Sequence, residues 1–353
     1  MSVIDLARPE IRRLEPYQAA IQVTDTVRLN ANEAPWSSGA DPFRRPLNRY
    51  PEIRPAGLRD SLAARFGARP EQLLVTRGTS EAIDLLVRAF CRAGIDNIVT
   101  TSPSFSMYRH YAEIQGAAVR AVPTDPALDF VPSLEALLDA CDDRSRVVFL
   151  CSPNNPTGTT LPRSLMTDFL AARGDQSVVV IDEAYIEFSG ETSLVELLNE
   201  HPNLVVLRTL SKALAFAGAR CGAVMGPREL IDILNAIQAP YAMSTPVVEC
   251  VEDALSERWL NEASRKVAEI IAERERVTAA LESIPVVTRI WPSSANFLLA
   301  ELREVDAVMA ATRRDAILLR YFGGDLERCV RITIGTAAEN DALLTTLRKL
   351  EAG

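Results

Sequence analysis

The stretch Leu204–Met225, LVVLRTLSKALAFAGARCGAVM, contains two short apolar runs joined by a loop that carries a lysine. The runs Leu204–Leu207 and Gly222–Met225 are typical of buried strands. Between them, Lys212 is followed by a tract of small residues that ends at Arg220. Small apolar neighbours exclude water from an amine, so its pKa falls and it becomes a nucleophile towards aldehydes. Taken alone, the lysine has a plainer interpretation as an exposed loop residue.

Similar apolar runs alternate with helical segments on the N-terminal side of this stretch. This alternation predicts an α/β fold, with a mostly parallel sheet that helices cover on both faces. The further predicted strands are Leu73–Thr76, Asn97–Thr100, Ala117–Val122, Val147–Leu150 and Val178–Ile181. The predicted helices include Ser80–Cys91, Phe105–Gln115, Ser133–Asp139 and Arg163–Arg173.

The pattern divides the chain into three parts, and its length of 353 residues also favours more than one domain. Residues 1–50 are poorly periodic and predict an arm with a short helix near Pro9–Leu14. Residues 51–245 form the predicted large domain, and residues 246–353 a smaller α+β domain. The smaller domain is predicted to contain a long helical stretch at Pro246–Ile284, strands at Asn296–Ala300 and Val330–Ile334, and helices at Val305–Arg313 and Ala338–Leu350.

Composition excludes several classes of function. The 38 basic residues are outnumbered by 47 acidic ones, and the chain lacks the dense basic stripe of a duplex-binding protein. Its apolar runs are too short to span a membrane, and its start does not resemble a secretory leader. Six cysteines without a CxxC pair indicate reduced residues in a cytoplasmic protein. Two histidines are too few for a His-rich metal site, so no metal is expected.

The residues that follow each predicted strand are the candidates for chemistry, because ligands of open parallel sheets bind beyond the carboxyl ends of the strands. After Leu73–Thr76, the segment Gly78-Thr79-Ser80-Glu81 opens a helix, with Ser80 as a plausible N-cap. Free backbone N–H groups at such a turn favour a phosphate, although a plain capped helix explains the segment equally well. Thr209, Ser211 and Arg220 would add hydroxyls and a guanidinium to a phosphate site.

Three other strand ends present groups that suit a flat heterocycle. Phe105 could stack on such a ring, and the rigid turn SPNNPTG could hold the amide of Asn155 against a ligand oxygen. Asp182 should be buried, where a carboxylate requires a cation such as a protonated pyridine nitrogen. Tyr185 could donate to a phenolic oxygen. A core aromatic, a turn and a helix cap are the plain alternatives, but five strand ends together describe one ligand, pyridoxal 5'-phosphate (PLP).

The ordered motifs GTSE, PSF, NNPTG, DEAY and SK, with an arginine eight residues after the lysine, resemble those of fold-type I PLP-dependent aminotransferases. Further motifs extend the resemblance over nearly the whole chain and are similar to those of the histidinol-phosphate aminotransferase family. They are LEPY at Leu14–Tyr17, LNANEAP at Leu29–Pro35, RYPE at Arg49–Glu52, SANFLL at Ser294–Leu299, LLRYFG at Leu318–Gly323 and VRITIGT at Val330–Thr336.

The resemblance implies a role for each matching residue. Lys212 would carry the cofactor as a Schiff base and shuttle a proton, Asp182 would hold the pyridinium, and Asn155 and Tyr185 would contact its phenolic oxygen. Either Phe105 or Tyr108 would stack on the ring. The cofactor phosphate would be bound by Thr79, Ser80, Thr209, Ser211 and Arg220, together with Tyr50 from the neighbouring subunit of a homodimer. The substrate would be bound by Tyr17, Asn32, Arg320 and Arg331.

The implied reaction is reversible, ping-pong amino transfer between L-histidinol phosphate and 2-oxoglutarate in histidine biosynthesis. Small molecules would be its partners, with no nucleic acid and no membrane. Threonine-phosphate decarboxylation and aromatic amino-acid transamination on the same scaffold are the alternatives. A PLP-domain transcription regulator would need a DNA-binding domain before the fold, where only about 50 residues stand. A non-catalytic relative would not be expected to keep both Lys212 and Asp182.

Overall fold

The computed structural model describes residues 2–17, 22 and 27–350, and within them one sheet has seven strands. These strands are β1 Leu73–Thr76, β2 Asn97–Ser102, β3 Ala118–Pro123, β4 Ser145–Cys151, β5 Val178–Asp182, β6 Leu204–Thr209 and β7 Gly222–Met225. Their order is β1-β7-β6-β5-β4-β2-β3, and only β7 runs antiparallel to its neighbours. The mostly parallel sheet is thereby confirmed, and the carboxyl ends of the other six strands share one edge.

Helices cover both faces of this sheet, because alternate residues of its central strands belong to two different apolar clusters. Val148 and Leu150 of β4 belong to one apolar cluster, and Val147 and Phe149 belong to another on the opposite face. Because both faces are buried, the strands are continuous apolar runs. The first cluster includes residues of α2 Ala56–Phe66, α5 Leu134–Asp139 and α6 Arg163–Arg173, and the second those of α3 Thr79–Phe90, α4 Met107–Gln115 and α7 Arg228–Ile237. A short helix, α1 Pro9–Arg12, precedes them.

A second sheet, smaller and antiparallel, follows within residues 27–350. Its four strands are β8 Val287–Ile290, β9 Phe297–Leu302, β10 Arg320–Gly323 and β11 Leu326–Thr333, in the order β10-β11-β9-β8. The helices in this part of the chain are α8 Thr245–Ala254, α9 Glu257–Glu282, α10 Val305–Arg314 and α11 Ala337–Lys349. Val277 and Leu281 of α9 pack on Val330 and Ile332 of β11, which forms a core separate from those of the large sheet.

Several sequence-based predictions need correction in detail. The long helical stretch is not continuous, because the chain leaves the helix at Leu255 and Ser256 takes an extended backbone as the N-cap of α9. Strands β8 and β10 were not predicted, since VTRI and RYFG are short and carry polar residues. The first helix ends at Arg12 rather than at Leu14. Among the described residues, no helix has the length and apolar character needed to cross a bilayer.

Candidate active site

A cavity of about 680 Å³ lies at the edge where the parallel strands end. Its position follows from the topology, because the loops after β1, β2, β4, β5 and β6 all emerge there. The predicted site residues that line it are Thr79, Ser80, Phe105, Asn155, Asp182, Tyr185, Thr209, Ser211, Lys212, Arg220, Arg320 and Arg331. Residues not singled out from the sequence also line it: Ser104, Ser106, Cys151, Pro156, Ala184, Ala217 and Phe322.

Lys212 extends into this cavity from the loop after β6, with its Nζ 5.5 Å from the centre of the Tyr185 ring. Desolvation lowers the pKa of its amine, and the nearby charges of Arg331 and Arg220 lower it further, against the opposing effect of Asp182. A lower pKa increases the fraction of neutral amine, which is the nucleophilic form. Lysine is rare in this chain: the others are Lys266 and Lys349.

Asp182 ends β5 as a buried carboxylate, and no ion pair to it occurs among the described residues. The hydroxyl of Tyr108 donates to its Oδ2 at 2.8 Å, and the backbone N–H of Ala184 donates to its Oδ1 at 3.1 Å. Burial raises the pKa of Asp182 to about 6, although both donors and the charge of Lys212 act in the other direction. A cationic ring nitrogen at this carboxylate would supply the missing countercharge.

Asn155 and Tyr185 lie side by side between the large sheet and Arg331. The Asn155 amide donates to the Tyr185 hydroxyl at 3.4 Å, while its Oδ1 accepts from Nη1 of Arg331 at 2.5 Å. The Tyr185 ring packs edge-on against Phe297 at 5.2 Å. Burial raises the pKa of the Tyr185 hydroxyl, so it remains a donor near neutral pH. The two side chains therefore present an amide and a hydroxyl to one place in the cavity.

The predicted phosphate cradle forms around the start of α3 and the loop after β6. Its N-cap is Gly78 at φ +72°, so the prediction that Ser80 caps the helix was wrong. The positive φ favours glycine, and a Cβ atom on Gly78 would lie 2.8 Å from Nη2 of Arg220, so a larger residue would displace that guanidinium. Arg220 also donates to the Ser211 hydroxyl at 3.4 Å, and the Thr209 hydroxyl lies 3.0 Å from that of Ser211. Free N–H groups, hydroxyls and a cation together suit a phosphate.

The two candidate stacking residues occupy different places. Phe105 lines the cavity, whereas Tyr108 is fully buried behind it and stacks on Phe149 with ring centres 4.7 Å apart. Phe105 and Tyr108 contact each other edge-on at 5.6 Å. The cavity therefore offers the ring of Phe105 to a ligand, and Tyr108 offers its hydroxyl to Asp182.

Arg320 and Arg331 stand opposite each other in the register of β10 and β11, and both line the cavity. The Arg331 guanidinium lies 5.2 Å from the ring centre of Phe297 and 5.6 Å from that of Phe322. Its Nε is buried without a hydrogen-bond partner in the part of the chain that is described. Within that same part, neither arginine has a carboxylate within 4 Å, in contrast to Arg328 on β11, which faces Glu301 at 3.7 Å. The pair suits a small anion.

Three predicted site residues do not reach this cavity. Tyr17 and Asn32 lie in the exposed N-terminal part of the chain. Tyr50 is half exposed, and its ring stacks on Tyr241 at 4.7 Å. Its backbone N–H donates to Glu33 at 2.8 Å, so the residue is held in place although its side chain does not line the cavity of its own chain.

The donor set fits PLP. Asp182 is a buried carboxylate without a countercharge, Lys212 is an amine with a lowered pKa, and the cradle beside Arg220 suits a phosphate. The described residues contain no group of three or more His, Cys, Asp or Glu side chains that could hold a metal ion. The site therefore suits an anionic aromatic aldehyde rather than a metal.

Comparison with known proteins agrees with this geometry. The model for aminotransferases of class I and II matches residues 27–347. The histidinol-phosphate aminotransferase of Xylella fastidiosa (strain 9a5c) is 42% identical over 357 aligned residues, which cover 99% of this chain and 98% of the relative. The solved histidinol-phosphate aminotransferase of Clostridium acetobutylicum shares the fold, with a TM-score of 0.78 at 23% identity, covering 87% of this chain and 91% of that one.

A second solved structure, the histidinol-phosphate aminotransferase of Sinorhizobium meliloti in complex with pyridoxal-5'-phosphate, has a TM-score of 0.77 at 25% identity and covers 86% of this chain and 83% of its own. The family and this complex imply a PLP-dependent enzyme. The chain belongs to the aminotransferase class I and II family and, within it, to the histidinol-phosphate aminotransferases, which are transaminases.

Proposed function

We propose that this enzyme transfers an amino group between L-histidinol phosphate and 2-oxoglutarate, with PLP attached to Lys212. The observation that carries the proposal is the pair Arg320 and Arg331, which face the same cavity as Lys212. Two guanidinium groups without a carboxylate within 4 Å, in the part of the chain described, can bind the oxygens of a phosphate in forks. The names of the relatives support the choice of histidinol phosphate.

The geometry of the cavity supports a role for each residue proposed to bind the cofactor. When bound, PLP supplies an electron sink for the bond that breaks at the substrate's α-carbon. Asp182 would pair with its ring nitrogen, Asn155 and Tyr185 would contact its phenolic oxygen, and Phe105 would pack on its ring. Its phosphate would be held by Thr79, Ser80, Thr209, Ser211 and Arg220.

Lys212 would be the base of the reaction as well as the attachment point. Its amine takes the proton from the α-carbon of the substrate, and the lowered pKa favours the neutral form that this step requires. The ring of Tyr185 lies beside this amine, with its centre 5.5 Å from Nζ. The same residue can therefore act on both amino donors in turn, as a ping-pong scheme requires.

Both substrates would use the same arginines. L-histidinol phosphate has a phosphate and no carboxylate, whereas glutamate and 2-oxoglutarate have only carboxylates. Arg331 is held by Asn155 and would take either anion, while Arg320 is exposed on β10 and can adjust to the larger phosphate. An anion bound there would place the reacting carbon towards Lys212, because all three cations line one cavity.

The arm would complete the site from a neighbouring subunit. We propose residues 1–50 as the arm, 51–245 as the large PLP-binding domain and 246–353 as the small domain. Tyr50 is held in place and half exposed, yet it does not line its own cavity, which supports a homodimer in which it binds the partner's cofactor phosphate. Tyr17 and Asn32 would similarly approach the substrate.

The proposal is tested by turnover of the purified enzyme with L-histidinol phosphate, unphosphorylated histidinol and phenylalanine, each with 2-oxoglutarate. We expect histidinol phosphate to be the best donor by at least about tenfold, since loss of one charge-assisted contact costs about 1.5–3 kcal/mol. Equal turnover of histidinol and its phosphate would indicate an aromatic aminotransferase. Release of carbon dioxide from threonine phosphate would indicate the decarboxylase alternative.

A further inference from the structure

We infer that Tyr108 is a positioning residue of the active site, whose hydroxyl fixes the Asp182 carboxylate in the orientation that meets the cofactor's ring nitrogen. The inference rests on the proposed function, because it assumes that PLP binds with this nitrogen at Asp182. Tyr108 is not among the residues that line the cavity, so it would act through Asp182 and not on the substrate.

The geometry of the Asp182 carboxylate leads to this inference. Its Oδ2 accepts from the Tyr108 hydroxyl at 2.8 Å, and its Oδ1 accepts from the backbone N–H of Ala184 at 3.1 Å. The two donors come from separate elements, α4 and the turn after β5. Because each oxygen has its own donor, rotation of the carboxylate would break one bond or both. One orientation is therefore favoured before the cofactor arrives.

The Tyr108 ring is itself held on two sides. It stacks on Phe149 with an interplanar angle of 7° and ring centres 4.7 Å apart, and the edge of Phe105 contacts it at 5.6 Å. The side chain is fully buried, so bulk solvent does not reach the hydroxyl, and its other polar neighbour is the thiol of Cys151. Phe105 also lines the cavity, so one segment supplies both a ring to the ligand and a support to the carboxylate.

The groups around Asp182 show why this hydrogen bond affects the ionisation of the carboxylate. The titratable groups that face it are Tyr108, Cys151, Tyr185 and Lys212. Burial, above all, raises the pKa values of the tyrosines and of Cys151, so these groups remain neutral, and the charge of Asp182 raises them further. Burial also raises the pKa of Asp182, and the Tyr108 hydroxyl is the main group that opposes this effect. Without the hydroxyl, the ionised carboxylate would be less favoured.

The test is the Tyr108→Phe holoenzyme, in which only the hydroxyl is lost. The cofactor dissociation constant and the visible absorption of the bound cofactor are measured from pH 5 to 9. We expect the pH below which cofactor affinity is lost to be roughly one unit higher in the variant than in the wild type. At pH values below both midpoints, the variant should therefore bind the cofactor about tenfold more weakly. We also expect kcat to fall about tenfold with KM changed less, since one hydrogen bond to a charged group is lost.

Two further variants guard against a general effect on folding. Tyr111→Phe removes a hydroxyl one turn away on α4 that does not contact Asp182, and it should leave the pH profile unchanged. Phe149→Leu removes the stacked ring but keeps the Tyr108 hydroxyl, so the midpoint should move in the same direction by a smaller amount. If Tyr108→Phe does not fold, Phe149→Leu takes its place, and an unchanged midpoint would count against positioning.

A double-mutant cycle separates this inference from the proposed function. In an Asp182→Asn background, Tyr108→Phe should have little further effect on cofactor affinity, because the charge it supports is gone. If Asp182→Asn alone leaves affinity and absorption unchanged, the placement of the ring nitrogen is wrong and the proposed function loses its support. If Asp182→Asn has its effect and Tyr108→Phe has none, Tyr108 is only a core ring.

Discussion

The part of the cavity that is proposed to bind the cofactor, the cofactor end, differs in construction from the part that is proposed to bind substrate anions, the anion end. The cofactor end consists of the loops that follow β1, β2, β4, β5 and β6, whose strands belong to one sheet. The anion end consists of Arg320 and Arg331 on a different sheet, and its predicted companions in the arm stand away from it. A single rigid edge supports the first, whereas the second depends on how separate elements are brought together.

This difference suggests how the chain divides its tasks. Chemistry at one carbon requires fixed groups, and the parallel sheet supplies them with little freedom. The proposed substrates alternate between a phosphate and a carboxylate and would require an adjustable contact, which the small sheet and arm would supply. We therefore expect substitutions at the cofactor end to reduce turnover of every substrate, and those at the anion end to discriminate between substrates.

The largest effect is expected from Lys212→Ala. Turnover should fall by about 10³-fold or more with every amino donor, because both the attachment point and the base are lost. Borohydride reduction of the wild type should fix the cofactor to the peptide that contains Lys212. Lys266→Ala is the matched control, since this exposed lysine pairs with Glu269 at 2.8 Å on the surface of α9. Labelling of Lys266 or Lys349 instead would show that Lys212 is not the attachment point of the cofactor.

Asp182→Asn should come next, with turnover reduced about 10²-fold for all donors and some cofactor retained. In the cofactor-free protein, by contrast, the same substitution should increase stability against unfolding at high pH. The pKa of Asp182 is raised to about 6 by burial, so its contribution to stability is present below the unfolded pKa and is lost as the pH rises through about 6. The cofactor-free Asn variant should therefore be more stable than the wild type at pH 8, by about 2–3 kcal/mol, and nearly equal to it near pH 4.

Thermal unfolding of both cofactor-free proteins at the two pH values measures this difference. A wild type that gains stability relative to the variant as the pH rises would show that the carboxylate is better paired than the structure indicates. In a separate titration of the holoenzyme, the wild type should lose cofactor as the pH falls below about 6, because the ionised carboxylate is the form that meets a cation.

Arg320→Ala tests whether the anion end discriminates. Turnover of L-histidinol phosphate should fall about 10- to 100-fold, and that of unphosphorylated histidinol should barely change, since a single charge-assisted contact is removed. Arg331→Ala should impair both, because this arginine also holds Asn155. Arg328→Ala is the control from the same sheet. An equal loss for both donors in Arg320→Ala would mean that Arg320 supports the fold and not the phosphate.

The smallest effect is expected from Tyr50→Phe, a loss of about three- to tenfold in cofactor affinity, because one hydroxyl among several phosphate contacts is removed. Its decisive measurement is a mixture with Lys212→Ala protomers. If Tyr50 serves the partner subunit, a hybrid dimer carries both lesions in one site and leaves the other intact, so at limiting cofactor the activity of the mixture should rise above the mean of the two parents. Absence of recovery, with subunit exchange demonstrated, would place Tyr50 in its own site.

The residues that line the cofactor end could be predicted because the ends of strands can be recognised in a sequence. Apolar runs such as Val178–Ile181 are followed at once by polar residues such as Asp182, and parallel strands of one sheet must end together. The start of α3 was harder to predict. Ser80 fits the usual chemistry of an N-cap, but the N-cap is Gly78, which the guanidinium of Arg220 approaches closely. At this helix start, a contact with a residue more than a hundred positions away in the sequence overrode the local preference for serine as the N-cap.

The anion end was predictable in its residues but not in its geometry. Arg331 interrupts an apolar run, which indicates a side chain turned towards a cleft. Its pairing with Arg320 depends on the register of β10 and β11, and RYFG is too short and polar to predict a strand. The bond from Tyr108 to Asp182 joins residues 74 apart, and no local pattern indicates it.

The scarcity of lysine has a practical consequence for an enzyme that handles an aldehyde. Three of the 38 basic residues are lysines, and arginine, which supplies the rest, does not form stable imines under the same conditions. Excess aldehyde therefore meets few surface amines, and absorbance per chain should report loading of the site with little background. Cleavage after lysine should likewise give so few fragments that the modified peptide can be assigned by mass alone.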